Sequence, residues 1–156
     1  YPMITEVSEL EEIRKIVAEV ETELSEANIE YAIPRQGIMI ETPQAAEKSD
    51  KLAKQVDFIS IGTNDLICYM LGLDRLKEDA LDIGDKNCDE VDGYIQRIIT
   101  NAHKEGITVS ICGELAADME WTEKFWEMGV DSLSMVPRQI LPLRKKLKEL
   151  TDTLLL

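Results

Sequence analysis

The sequence predicts an α/β fold on a parallel sheet, about five βα units long. Three observations carry this. Short β-rich runs alternate with longer stretches that have helical apolar spacing. Glycines stand between a helix and the run that follows it, where a left-handed cap is needed. Polar residues follow the end of each run, where parallel α/β folds gather their ligands. Alternating strands and helices imply a parallel sheet with helix-covered faces. Five such units fit an open, flavodoxin-like five-stranded sheet. They fit equally a partial (β/α)8 TIM barrel, whose full form takes about 250 residues. Periodicity leaves both open.

The opening run, Tyr1-Pro2-Met3-Ile4, is the first strand candidate. From Thr5 to about Asn28, Leu10, Ile13, Val17, Val20 and Leu24 recur at three- and four-residue steps, and Ser8 with Glu11 has capping-box spacing. Gly37 then opens "IMIE". Thr42 is placed to cap the next helix, with Pro43 in its first turn and a narrow face of Ala45, Ala46, Ser49, Leu52 and Ala53. "DFISIG" is the third strand, and a short helix follows through Leu66 to Leu71. Leu73–Asp89 is the longest irregular stretch, of the kind often functional. From Asp89 to Lys104, Val91, Ile95, Ile98, Ile99 and Ala102 form a stripe. Gly106 opens "ITVSIC", a short helix covers Trp121 to Met128, and Gly129 precedes "DSLSMV". A last helix sets Leu143, Leu147 and Leu150 on one side.

The chain has 156 residues, 44% hydrophobic and 31% charged, so one domain with a proper core is expected over 1–156. No apolar run reaches the roughly 20 residues of a membrane helix, and no signal peptide is visible, so a soluble, cytoplasmic protein is expected. The net charge of −14 repels nucleic-acid phosphates and anionic lipid, which makes both poor partners. Cys68, Cys88 and Cys112 are too few and too irregular for a disulfide framework or a zinc site.

The strand ends carry the chemistry. "IMIE" ends on Glu41, "FISIGTND" on Asn64 and Asp65, "TVSICGE" on Cys112-Gly113-Glu114, and "SLSMV" near Ser134. Two carboxylates on neighbouring strands, with a carboxamide between, suit Mg²⁺, which takes one or two carboxylates plus waters and substrate oxygens. The competing reading stays open: Thr63, Asn64 or Asp65 caps the next helix, and Glu41 pairs with a lysine. His103, in the last turn of a helix, reads as a surface residue. A response-regulator receiver would need an acidic pair after the first strand and a lysine after the last, which "YPMIT" and "SLSMV" lack.

"YPMI", "IMIETP", "LAKQVDFISIGTNDL", "LGLDR", "AHKEGITVSICGELAAD" and "MGVDSLSM" follow one another over nearly the whole chain. Together they resemble the phosphoenolpyruvate-binding C-terminal domain of the phosphoenolpyruvate–protein phosphotransferases, a (β/α)8 barrel shared with pyruvate phosphate dikinase and phosphoenolpyruvate synthase. "SIGTNDL" and "CGELA" are its specific motifs. The resemblance implies Glu41 and Asp65 as Mg²⁺ ligands, Asn64 and Asp65 at the substrate, Arg75 on its phosphoryl group, and Cys112 as the acid that protonates the enolate. It also implies an N-terminal phosphohistidine domain and a small phosphocarrier protein as partners. Departures from the family pattern are Ile67-Cys68, Ala117, Val136, and Glu47 with Lys48 on a helix face.

The resemblance begins at what corresponds to the fourth barrel strand. The first three strands, which bring further phosphate-binding arginines, are expected to be missing, at a cost of roughly 1.5–3 kcal/mol for each lost charge-assisted hydrogen bond. The expectation is therefore an incomplete barrel with no turnover alone. Its alternative is a non-catalytic α/β scaffold, natural or engineered, derived from such a barrel. A sheet with two open edges invites self-pairing, so a homodimer or a rearranged sheet is expected.

Overall fold

The computed structural model describes residues 1–73 and 88–154. Arg75 and most of the long irregular stretch lie outside them. Helix α1 spans Val7–Glu26, followed by strand β1, Gly37–Ile40. Helices α2, Pro43–Glu47, and α3, Ser49–Leu52, lead through a 3-10 turn to strand β2, Phe58–Gly62. Then come α4, Thr63–Leu71, and α5, Cys88–Lys104. Strand β3, Thr108–Cys112, is followed by a 3-10 turn and α6, Met119–Met128. Strand β4, Ser132–Leu133, and helix α7, Pro137–Leu154, complete the described chain.

The strands lie in chain order, β1-β2-β3-β4, all parallel. This decides against the flavodoxin-like alternative, whose strand order reverses part-way across the sheet. A sheet that only ever adds the next strand on the same side is an arc of a barrel.

Among the described residues four strands form rather than five. Tyr1 does pair beside β1: its amine donates to the Gly37 carbonyl at 2.7 Å, and its carbonyl accepts the Met39 amide at 2.8 Å. Met3 then turns to φ 57°, and its amide donates to Glu41 Oε1 at 2.7 Å instead of to the ladder. The opening run thus occupies a strand position without continuing as one.

Among the described residues, helices cover one face of the sheet. Ile38, Ile40, Ile59, Ile61, Val109 and Ile111 are buried to 1% exposure or less. They join the α5 stripe of Val91, Ile95, Ile98, Ile99 and Ala102, with Ala45, Ala46, Leu52 and Phe125, in one core. The alternate positions Met39, Phe58, Ser60, Ser110 and Cys112 are only half-buried. They line the concave, barrel-interior face.

Local chemistry corrects several expectations. The capping box on α1 is Glu6 with Glu9, two residues before the predicted pair. Glu9 accepts the Thr5 and Glu6 amides, and these bonds hold its carboxyl below the usual carboxylate range. Thr42 does cap α2, its hydroxyl accepting the Ala45 amide at 3.2 Å, but the helix breaks at Lys48. Gly106 and Gly129 adopt positive φ as expected, whereas Gly37 is part of β1. It is there for space: a β-carbon would stand 2.4 Å from the Phe58 ring.

Asp131 fastens β3 to the start of β4. Its carboxylate accepts the Val109 amide at 2.7 Å and meets His103 Nε2 at 3.0 Å. Burial works to raise its pKa, but the Val109 amide and His103 outweigh it and hold the carboxyl below its ordinary value.

Candidate functional site

The carboxyl ends of β1, β2 and β3 meet around a hollow of about 140 Å³ lined by Met39, Glu41, Gly62, Thr63, Asn64, Asp65, Cys112 and Gly113. Register explains the convergence. Gly62 pairs with Cys112, and Ile40 with Ile61, so Glu41, Gly62 and Cys112 leave the sheet at one level. Adjacent strands lie about 4.8 Å apart. Glu41 and Cys112 therefore flank Gly62, whose missing side chain leaves room between them.

Glu41 is 4% exposed. Its Oε1 accepts the Met3 amide, and its Oε2 lies 3.2 Å from where a β-carbon on Gly62 would stand.

The polar trio after β2 does not cap α4: its N-cap is Gly62, and no side chain bonds there. Thr63 and Asn64 reach across to β3 instead. The Thr63 hydroxyl donates to the Cys112 carbonyl at 2.8 Å. Asn64 Oδ1 accepts the Glu114 amide at 2.9 Å, which leaves its Nδ2 as the donor able to serve a ligand. Asp65 stands in the first turn of α4, on the hollow. Between them Gly113 turns at φ 96°.

Cys112 Sγ donates to the Ile61 carbonyl at 3.4 Å and accepts from the Ser60 hydroxyl at 3.6 Å. Ser60 escapes a reading of strand ends, yet parity reveals it. It lies two residues before Gly62, on the face that Gly62 and Cys112 share. Cys112 and Gly113 also wall a wider cleft of about 570 Å³, with Glu114, Asp118, Ser134, Arg138 and Gln139 on its other sides. Ser134 thus faces this second space, away from the Glu41 hollow.

Two carboxylates on a polar hollow fit an open Mg²⁺ position, completed by waters and substrate oxygens. Among the described residues no group of three or more His, Cys, Asp or Glu side chains is placed to hold a metal ion, so a cation here would rest on the two carboxylates and on ligands from outside the chain. His103, bonded to Asp131, stands outside the hollow.

The family model described as PEP-utilising enzyme, PEP-binding domain, matches residues 1–151. The chain belongs to this family. It is 36% identical over 154 residues to the phosphoenolpyruvate-protein phosphotransferase of Listeria monocytogenes, covering 98% of this chain and 27% of that protein. To the enzyme of the same name from Haemophilus influenzae it is 40% identical over 143 residues, covering 88% and 25%. The chain thus spans about a quarter of the length of these relatives. Among solved structures, a citrate lyase from Burkholderia xenovorans LB400 superposes with a TM-score of 0.64 at 20% identity, covering 93% of this chain and 47% of that one. This likeness is one of fold, and it agrees with a barrel arc. No helix among the described residues of this PEP-binding domain is long and apolar enough to cross a membrane.

Proposed function

We propose that this chain is the phosphoenolpyruvate-binding part of a phosphotransferase, acting in the cytoplasm as a single domain of a longer system. The observation that carries the reading is the shared hollow, with Glu41 and Asp65, the carboxamide of Asn64 and the thiol of Cys112 all on its wall. Glu41 and Asp65 would hold Mg²⁺, which would supply positive charge to the phosphoryl oxygens during transfer. Asn64 Nδ2 and Arg75 orient the substrate, Arg75 on its phosphoryl group. The ester P–O bond breaks as a histidine of a separate domain forms a P–N bond. Cys112 gives its thiol proton to carbon 3 of the enolate left behind, producing pyruvate, and the thiolate regains a proton from water. Thr63 and Ser60 hold Cys112 in place. The phosphohistidine domain and, beyond it, a small phosphocarrier protein are the partners of this chemistry.

The isolated chain binds without turning over, because the acceptor histidine is supplied in trans. Calorimetric titration with phosphoenolpyruvate, with and without Mg²⁺, tests this. Binding tighter than about 1 mM, near −4 kcal/mol, is expected only with the metal. It should vanish in Glu41→Gln and Asp65→Asn, and pyruvate should not accumulate. A second reading, a non-catalytic scaffold derived from such a barrel, is favoured by the half-exposed concave face. It predicts no binding under either condition.

A further inference from the structure

We propose that Ser60 is a positioning residue for proton transfer. Its hydroxyl keeps hold of the Cys112 sulfur as the thiol gives up its proton, and so stabilises the thiolate left behind. The proposal rests on the reading of Cys112 as the acid of the site.

Cys112 Sγ has two hydrogen bonds of opposite sense. It donates its one proton to the Ile61 carbonyl at 3.4 Å, and it accepts from the Ser60 hydroxyl at 3.6 Å. Both partners belong to β2, and register fixes them. Cys112 pairs with Gly62, so Ser60, two residues earlier, is its diagonal neighbour on the same face. Gly62 adds no side chain opposite Cys112, which leaves the thiol on the wall of the hollow.

The two bonds act differently on the reaction. The Ile61 carbonyl holds the proton of the resting thiol. That bond must break before the S–H can turn to the hollow, and a carbonyl oxygen repels a sulfur anion. The Ser60 bond behaves the other way. As the proton leaves, the enolate double bond supplies the electron pair of the new C–H bond at carbon 3. The enolate oxygen becomes the ketone of pyruvate, and sulfur keeps the S–H pair. The hydroxyl then donates to an anion, and such a bond is about twice as strong as one between neutral groups. A contact that strengthens in this way lowers the barrier, whereas one that is equally strong throughout does not. Ser110 gives the contrast. It stands directly opposite Ser60, but its hydroxyl donates to the Ile59 carbonyl at 3.5 Å. Thr63 also acts on Cys112, through the carbonyl and not the sulfur.

Alkylation of Cys112 by iodoacetamide in metal-free buffer, followed by peptide mass mapping, tests this on the whole chain, because the thiolate is the nucleophile. The rate at neutral pH divided by the plateau rate in alkali removes any change in access to the sulfur. Ser60→Ala should lower this ratio at least about threefold. Ser60→Thr should restore it, and Ser110→Ala should leave it unchanged. The charged side chains bordering the two spaces around Cys112 are Glu41, Asp65, Glu114, Asp118 and Arg138, and every variant keeps them. Ser60→Val, which matches the shape of the Thr variant without its hydroxyl, serves if Ser60→Ala does not fold, and should lower the ratio as much. A ratio unmoved by losing the Ser60 hydroxyl, not restored by Ser60→Thr, or lowered equally by Ser110→Ala overturns the proposal. Calorimetry of the parent chain with phosphoenolpyruvate and Mg²⁺ keeps the two readings apart. Binding together with a ratio indifferent to Ser60 overturns this proposal alone. A ratio that depends on Ser60 in a chain that does not bind overturns the assigned substrate and supports the bond from Ser60 to the thiolate.

Discussion

Gly113 is the residue on which the site closes. A β-carbon there would stand 2.5 Å from Thr63 Oγ1 and 2.6 Å from Asn64 Oδ1, the two atoms that tie β2 to β3. Its φ of 96° is also one that L side chains rarely adopt. Gly106 shares the second constraint, at φ 71°, but has no atom within 4 Å of that position. The pair therefore separates backbone strain from crowding. Gly106→Ala should cost about 1 kcal/mol, and Gly113→Ala about 2–4 kcal/mol, in urea unfolding. Equal losses would mean that the close approach at Gly113 carries no energy. Thr63→Val is milder. It keeps the shape, removes the donor from a fully buried position, and should cost about 1–2 kcal/mol through the unpaired Cys112 carbonyl.

Among the elements, those whose partners are local were readable in advance. The α5 stripe is fixed by a 3.6-residue period, and the Thr42-Pro43 start of α2 by neighbours three residues apart. The break at Lys48 and the shift of the α1 cap to Glu6 were not legible, because several acidic residues satisfy the same spacing and tertiary packing chooses among them. The site divides in the same way. Glu41, Asn64, Asp65 and Cys112 stood out as polar groups at strand ends. The bridging by Thr63 and Asn64 did not, since its acceptor and donor lie about fifty residues away. The junction of β3 with β4 supplies the test at this scale. Asp131 has a folded pKa below its unfolded one, so its stabilisation is present above the unfolded value, near 3.8, and is lost as pH falls through the folded value. Asp131→Ala, which also frees the Val109 amide, should cost about 1 kcal/mol at neutral pH, the pair being partly exposed. The gap between variant and parent should narrow in acid below pH 3.8. A gap that stays constant there would assign the effect to packing rather than to the carboxylate.

For the molecule as a whole, repulsion and pairing pull against each other. Thirty-one acidic residues face seventeen basic ones. The ion pairs among the described residues are Lys48–Glu6, Lys124–Asp92, Lys145–Glu149 and His103–Asp131. All have side chains partly open to solvent, where a pair contributes about 0–1 kcal/mol. Salt weakens such attractions, but it also screens the mutual repulsion of an excess charge of −14, which acts over the whole surface. The second effect should win. Raising NaCl from near zero to about 0.15 M, where the screening length falls to about 8 Å, should raise the thermal midpoint. Measured at a protein concentration low enough to keep the chain monomeric, the rise belongs to folding and not to association. A midpoint that falls with salt would mean that specific pairs outweigh the net charge. Sodium sulfate at matched ionic strength is the control, because it also strengthens apolar burial and should raise the midpoint further.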